Sequence, residues 1–348
     1  MTFFHKTPAQ QDAIMQSLPE VPWPSEDADA PRGLLAQCPA AAVTPLVSLP
    51  ALAAKAGVAE VHVKDERGRM NLGSFKALGA AYVIAHHAQS GQAKGRTYVT
   101  ASAGNHGMSV AAGAAAFGAK SVIYLAETVP ESFAERLRAK GAEVVRHGAI
   151  YEESMAGAAQ AAEDKGWTLL SDSSWPGYME LPHRLMEGYL ALMQEAVEQM
   201  PAPPTHVFLQ AGVGGLAAAA ACYARKAWGT GPRIVVVEPE VAPALFGSVQ
   251  AGAAQVMDGP VSQMGRLDCK EPSLIALKGL ARDADTFLLI SEAEGAAGAA
   301  LCAELGMPTT PSGGAAVSGL IAAASSPADF GLEATSRVMV ILSEGPEA

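Results

Sequence analysis

The chain has 348 residues, 49% hydrophobic and 17% charged, which fits a compact soluble protein of about two domains or one large one. Its 24 Lys and Arg against 35 Asp and Glu leave a formal charge of −11 with no basic stripe or run, which argues against nucleic acid and anionic membrane as partners. Four scattered cysteines, Cys38, Cys222, Cys269 and Cys302, form no CxxC pair, so neither a structural zinc site nor a disulfide framework is expected.

In chain order, the first fifty residues are rich in Pro and Ala and read as irregular or extended, with Thr44 to Pro50 leading toward the core. Lys6, Gln10, Gln11 and Asp12 leave the N-terminus without the apolar core of a signal peptide. No apolar run reaches the ~18 residues of a membrane span. A cytoplasmic protein is therefore expected. From about Ala59, β-branched runs alternate with helical stretches. Strands are predicted at Glu60 to Lys64, Arg96 to Thr100, Ser121 to Leu125, Glu143 to Arg146, Trp167 to Leu170, His206 to Gln210, Arg233 to Val237, Thr286 to Ile290 and Arg337 to Leu342. Between them, Met186, Tyr189, Met193, Val197 and Met200 recur at helical spacing and predict a helix over Leu185 to Met200. Alternation of apolar strands with helices implies an α/β fold with parallel sheet covered by helices. Ala/Gly clusters at Ala111 to Ala116, Ala217 to Cys222 and Gly295 to Ala300 let those helices pack closely, and soft domain boundaries fall near Arg96 and Pro182.

Four loops carry chemistry. Gly73-Ser74-Phe75-Lys76 sets a lysine at the start of an apolar helix. Partial desolvation and the positive end of the helix dipole both lower an ammonium pKa there, favouring a neutral nucleophile able to form a Schiff base. Alone the signal is weak, because most lysines at helix starts are solvated. Thr97 to Gly107 reads as strand, small-residue turn and helix; free N–H groups, the Ser102 hydroxyl and the Asn105 amide suit a carboxylate and a ring oxygen, or an ordinary Asn-capped turn.

His206 to Leu216 is a strand entering a glycine loop that opens an Ala-rich helix, a place where N–H groups approach a phosphate. Gly212, Gly214 and Ala217 also match G-x-G-x-x-A, with Glu238 where a ribose-binding acid belongs, so a dinucleotide site competes on this loop. Against it, the loop lies in mid-chain and nothing resembles a dehydrogenase's acid–base pair. A Walker A reading fails, since no Gly-Lys-Ser/Thr follows. Finally, Val338 to Leu342 reads as a buried strand ending in the Ser343 hydroxyl, which is either a strand-end hydrogen-bonder or a partner for a pyridine nitrogen. His86 and His87 sit mid-helix and read as surface residues; no metal site is expected.

Taken in order, lysine turn, Asn loop, glycine loop and terminal serine resemble the fold-type II pyridoxal phosphate enzymes, and among them the diaminopropionate ammonia-lyase family. Threonine deaminase and serine racemase are more distant relatives. The similarity runs from about Asp65 to Gly345 and includes Tyr151-Glu152-Glu153, Asp172-Ser173-Ser174-Trp175-Pro176-Gly177-Tyr178, Val237-Glu238-Pro239 and Cys269-Lys270-Glu271-Pro272. The dinucleotide reading then rests on one loop alone.

The resemblance implies two parallel-sheet α/β domains of the tryptophan synthase β type with pyridoxal 5'-phosphate between them. Residues 1–96 and 184–348 would form the larger, cofactor-binding domain and 97–183 the smaller, substrate-closing one. Lys76 would hold the cofactor as a Schiff base and act as the α-carbon base, with Phe75 beside it. Asn105 would contact the phenolic oxygen; Gly212, Val213, Gly214 and Gly215 would cradle the phosphate; and Ser343 would meet the ring nitrogen. Ser102 and the backbone from Gly104 through Asn105 to His106 would hold the substrate carboxylate, and Asp172 would lie over the substrate.

The implied reaction is α,β-elimination from an L-amino acid, 2,3-diaminopropionate first, with dehydration of a 3-hydroxy amino acid (serine, threonine, hydroxyaspartate or phenylserine) as the alternative. A non-catalytic member of the fold is a third possibility, and a homodimer is implied. One position departs from the pattern: the diaminopropionate lyases carry an aspartate before Gly-Asn-His, placed to take a proton from D-substrates, and serine racemase a serine. Ala103 does neither, so an L-specific enzyme without racemase activity is expected. Some members pair two cysteines; Cys269 fits one position but Ala244 fills the other, so no bridge is expected.

Overall fold

The computed structural model describes residues 1–346. Its strands are β1 (Thr2–His5), β2 (Leu46–Ser48), β3 (Glu60–Asp65), β4 (Thr97–Ala101), β5 (Lys120–Leu125), β6 (Glu143–Arg146), β7 (Thr168–Leu169), β8 (His206–Gln210), β9 (Arg233–Pro239), β10 (Thr286–Ile290) and β11 (Arg337–Leu342). They form a seven-stranded sheet in the order β1-β10-β9-β8-β11-β3-β2 and a four-stranded sheet in the order β6-β5-β4-β7. The smaller sheet is parallel throughout; in the larger one only the edge strands β1 and β2 run antiparallel. Every residue of β8 and β10 is buried, as near-continuous apolar strands covered on both faces must be.

This topology brings the chemical loops together. In the large sheet β3, β11 and β8 are parallel neighbours, and sequence order reverses around β8. Their carboxyl ends lead to the Lys76 turn, to Ser343 and to the glycine loop, in the place where open α/β sheets bind ligands. In the small sheet β4 and β7 are neighbours, and their carboxyl ends lead to Asn105 and to Asp172. Helices Lys76–Gln89 and Glu180–Gln199 then cross at glycines. A Cβ on Gly79 would come within 2.8 Å of Leu185 and Tyr189, and one on Gly188 within 2.6 Å of the Leu78 carbonyl. That close crossing seats Tyr189 against Phe75, with ring centroids 4.9 Å apart.

A buried charge cluster supports the chain ahead of the lysine turn. Arg69, 1% exposed, donates to Glu66 and Glu195 at 2.7 Å each, and Lys64 donates to Glu195 at 2.7 Å. These contacts hold a kinked segment in which Met70 and Asn71 take positive φ, 51° and 55°.

The N-terminal expectation needs correction. The first fifty residues contain helices Pro8–Ser17 and Asp29–Leu35 as well as the two edge strands. Pro8 is at the start of its helix, where its missing N–H costs nothing, and Thr7 with Gln10 forms a capping box. The helix predicted over Leu185 to Met200 begins five residues earlier, at Glu180, because Pro182 is tolerated in its first turn.

Candidate active site

Lys76 opens its helix on the Ser74-Phe75 turn, which is tied to the end of β11: the Phe75 N–H donates to the Ser343 carbonyl at 3.1 Å. The Gly345 N–H donates to the Gly73 carbonyl at 2.9 Å, and Ser74 bridges Glu344. The Lys76 ammonium donates to the Asp172 carboxylate in a partly buried ion pair. Asp172 follows β7 on a loop fixed by Tyr178, whose hydroxyl donates to the Leu169 carbonyl at 2.8 Å and accepts from the Ser171 N–H at 3.1 Å. Ser174 ties the same loop to Ser273 at 2.7 Å.

That ion pair reverses one expectation. Burial pulls the Lys76 ammonium down, but the Asp172 carboxylate, with Tyr189 and Cys269 adding to it, makes the net shift upward. Burial likewise pushes Asp172 up, yet Lys76 and His106 hold its carboxyl well below the usual range. The turn and helix dipole alone favour a neutral amine; an anion contributed from the other sheet dominates them.

The glycine loop follows β8. Gly214 takes φ +97° at the N-terminus of helix Gly215–Trp228, whose first-turn N–H groups have no partner within the helix. The loop is backed tightly: a Cβ on Gly212 would lie 3.0 Å from the Cys269 Sγ and 3.1 Å from the Leu267 Cα. Gly215 faces the Asp172 carbonyl and Tyr189, so the glycine loop lies beside the segment that carries the Lys76–Asp172 pair. Ser343 is 5% exposed at the end of β11. A cradle of N–H groups, a primary amine and a neutral hydroxyl at the ends of neighbouring strands of the large sheet, with an amide from the small sheet, fit the phosphate, aldehyde, ring nitrogen and phenolic oxygen of pyridoxal 5'-phosphate.

Other expected residues fall as follows. Ser102, Ala103, Gly104 and Asn105 are half-buried between β4 and helix Asn105–Ala116. His106 is 5% exposed; its Nε2 lies 2.8 Å from the Leu170 carbonyl, so its ring faces the core and only its backbone is available to a substrate. Burial lowers its pKa. Glu238 does not serve a ribose: both carboxylate oxygens accept from the N–H groups of Leu245 and Phe246, at 2.8 and 2.7 Å. His87 is half-buried, with its Nδ1 2.8 Å from the Tyr98 hydroxyl, rather than on the surface.

Residues with no role at the site assigned from the sequence also lie against it. Cys269 packs on the glycine loop as a free thiol, and burial pushes it up to about 12 with Asp172 adding to the shift. Tyr189 comes from a helix chosen only for its periodicity. Glu344 receives the Asn105 amide across 239 positions. Nothing local marks such contacts, because each is made between elements distant in sequence.

A family model described as pyridoxal-phosphate dependent enzyme matches residues 38–344. The diaminopropionate ammonia-lyase of Salmonella typhimurium is 35% identical over 263 residues, 68% of this chain and 65% of that protein. Its counterpart in Escherichia coli K12 is 32% identical over 276 residues, 73% of this chain and 69% of that protein. The matched region thus spans just under two thirds of the Salmonella protein's length. A crystal structure of the Escherichia coli enzyme, in complex with an aminoacrylate-PLP azomethine reaction intermediate, superposes with a TM-score of 0.85 at 27% identity, covering 99% of this chain and 93% of that one.

Proposed function

The chain belongs to the pyridoxal-phosphate dependent enzyme family, and on that premise we propose that it eliminates ammonia from L-2,3-diaminopropionate, yielding a 2-oxo acid and ammonia. The observation that carries this reading is the Lys76–Asp172 pair. Asp172 already holds one ammonium in the cleft. When the Lys76 nitrogen is engaged by the cofactor aldehyde, that carboxylate is left to a second cation, and the β-ammonium of a diamino acid supplies one. A 3-hydroxy amino acid offers only a neutral hydroxyl there, which favours the lyase over the dehydratase reading.

Bound pyridoxal phosphate supplies an electron sink for the pair left at the α carbon. The chain supplies position and proton transfer. The N–H groups from Gly212 to Gly215 would hold the phosphate, and Phe75, packed on Tyr189, lies beside Lys76. Asn105 would donate to the phenolic oxygen. Ser343 would offer the ring nitrogen a hydroxyl rather than a carboxylate, which would leave that nitrogen largely unprotonated and favour prompt loss of a β leaving group. Ser102 and the backbone from Gly104 to His106 hold the substrate carboxylate.

Lys76 Nζ would take the α proton; the C–H pair would become the Cα–Cβ double bond, and the Cβ–N bond would break with its pair on the departing ammonia. Asp172 orients that nitrogen. The enamine then tautomerises and hydrolyses with one water, releasing the 2-oxo acid and the second ammonia. Ala103 places no base on the face opposite Lys76, so D-isomers are not turned over. The reading includes residues 97–183 closing over substrate as a smaller domain, and a cytosolic homodimer. No described helix is long and apolar enough to cross a membrane.

Asp172→Asn tests the carrying observation. It keeps the shape and removes the charge, so kcat/KM for L-2,3-diaminopropionate should fall about a hundredfold, the worth of a charged hydrogen bond, with L-serine turnover changed by less than about threefold. Equal losses on both substrates would return Asp172 to a purely structural part.

A further inference from the structure

Glu344 is 4% exposed, one residue beyond Ser343, and the mechanism above gives it no part. Its carboxylate accepts from the Asn105 amide nitrogen and from the Thr310 hydroxyl, and it forms an ion pair with Arg266 at 3.0 Å. Its backbone is fixed as firmly. The carbonyl accepts from the Thr309 hydroxyl at 2.6 Å, and the residue bridges Ser74 in the lysine turn. Gly313 leaves the room this requires, since a Cβ there would come within 2.8 Å of the Glu344 Cγ.

We propose that Glu344 is a positioning residue for Asn105, taking one amide N–H into its buried carboxylate so that the other faces the cofactor's phenolic oxygen. The proposal rests on the reading of Asn105 given above and deepens it. An Asn side chain presents two N–H donors on one end and an acceptor oxygen on the other, and in isolation either end can face a ligand. A carboxylate paired with arginine only accepts, so it admits only the nitrogen end. Donor orientation at the phenolic oxygen is thus set from the large sheet, although Asn105 itself begins a helix of the small-sheet region. Thr310 holds the other carboxylate oxygen and Arg266 pairs with the oxygen that takes the amide, so the carboxylate is anchored at both ends.

The holoenzyme carrying Glu344→Gln, Asn105→Ala or both tests this. A glutamine side chain at that position keeps the shape but both donates and accepts, which frees the Asn105 amide to flip. A donor on the phenolic oxygen stabilises its anion, so losing that donor raises the pH midpoint of the absorbance band of the lysine-bound cofactor. Expected are an upward midpoint in each single variant and no further rise in the double variant. With Glu344→Gln, kcat should fall about tenfold while KM stays within about threefold.

An unmoved midpoint in Glu344→Gln beside a raised one in Asn105→Ala would overturn the proposal, as would additive shifts. An unmoved midpoint in Asn105→Ala would overturn both the phenolic-oxygen assignment and this proposal, while ammonia release by the wild type judges the lyase reading separately. Should Glu344→Gln fail to load cofactor, Thr310→Val, which keeps the charge but loosens the carboxylate, should give a smaller rise in the same direction; no rise there would count against the proposal.

Discussion

Lys76 and Asp172 set the behaviour of the site at the scale of single residues. Because the carboxylate holds the lysine as an ammonium, the amine is a poor nucleophile toward the cofactor aldehyde until pH rises or the pair is broken. The sign is fixed by the upward shift: charge on Lys76 is retained above the ordinary lysine range. Addition of pyridoxal phosphate to the apoprotein should therefore give the Schiff-base absorbance faster as pH increases. Asp172→Asn should move that dependence to lower pH, and an unchanged pH dependence in the variant would break the argument. The lysine itself was legible in the sequence as a helix-opening Ser-Phe-Lys turn. Its ionisation was not, because the deciding charge lies 96 positions away and arrives only when the two sheets meet.

The glycine loop and its helix work as one element. Gly214 at φ +97° lies where a side chain costs about 1–3 kcal/mol of backbone strain, and a Cβ there would also crowd Ala276 and Leu245 at 3.0 Å. Gly214→Ala should weaken retention of pyridoxal phosphate about tenfold or more, read by dialysis against the loss of absorbance; retention at wild-type strength would mean that this loop does not carry the phosphate. Strand-then-glycine patterning gave this element away, since buried strands such as β8 are continuous apolar runs. Periodicity could not separate a phosphate loop from a dinucleotide loop. Glu238 separates them in the structure by spending both oxygens on the N–H groups of Leu245 and Phe246. The N-terminal helices escaped for a different reason: they are short, and Pro and Ala there read as extended until the capping box of Thr7 and Gln10 is given weight.

Across the whole molecule, the site lies where the parallel strands of the two sheets end in the loops that carry Lys76 and Asp172, and stability follows from what that packing buries. Burial pushes the Glu238 carboxyl up to about 8 from 4.5, against two backbone hydrogen bonds. A carboxyl with a raised folded-state pKa contributes stability that is complete below the unfolded value and is lost as pH rises through the folded one. The Tm should thus decline from about pH 5 to about pH 8 and then level off, and Glu238→Gln should flatten the decline. An equal slope in that variant would assign the effect to other groups.

The proposed elimination from a diamino acid by one lysine face unites these scales, and one experiment addresses it directly. Ammonia and 2-oxo acid release should be measured from L- and D-2,3-diaminopropionate beside L-serine, L-threonine and the other L-3-hydroxy amino acids. Turnover centred on L-2,3-diaminopropionate, with the D-isomer idle, is the predicted result. Turnover of the hydroxy amino acids in its place, or of both isomers alike, would contradict the roles given to Asp172 and Ala103.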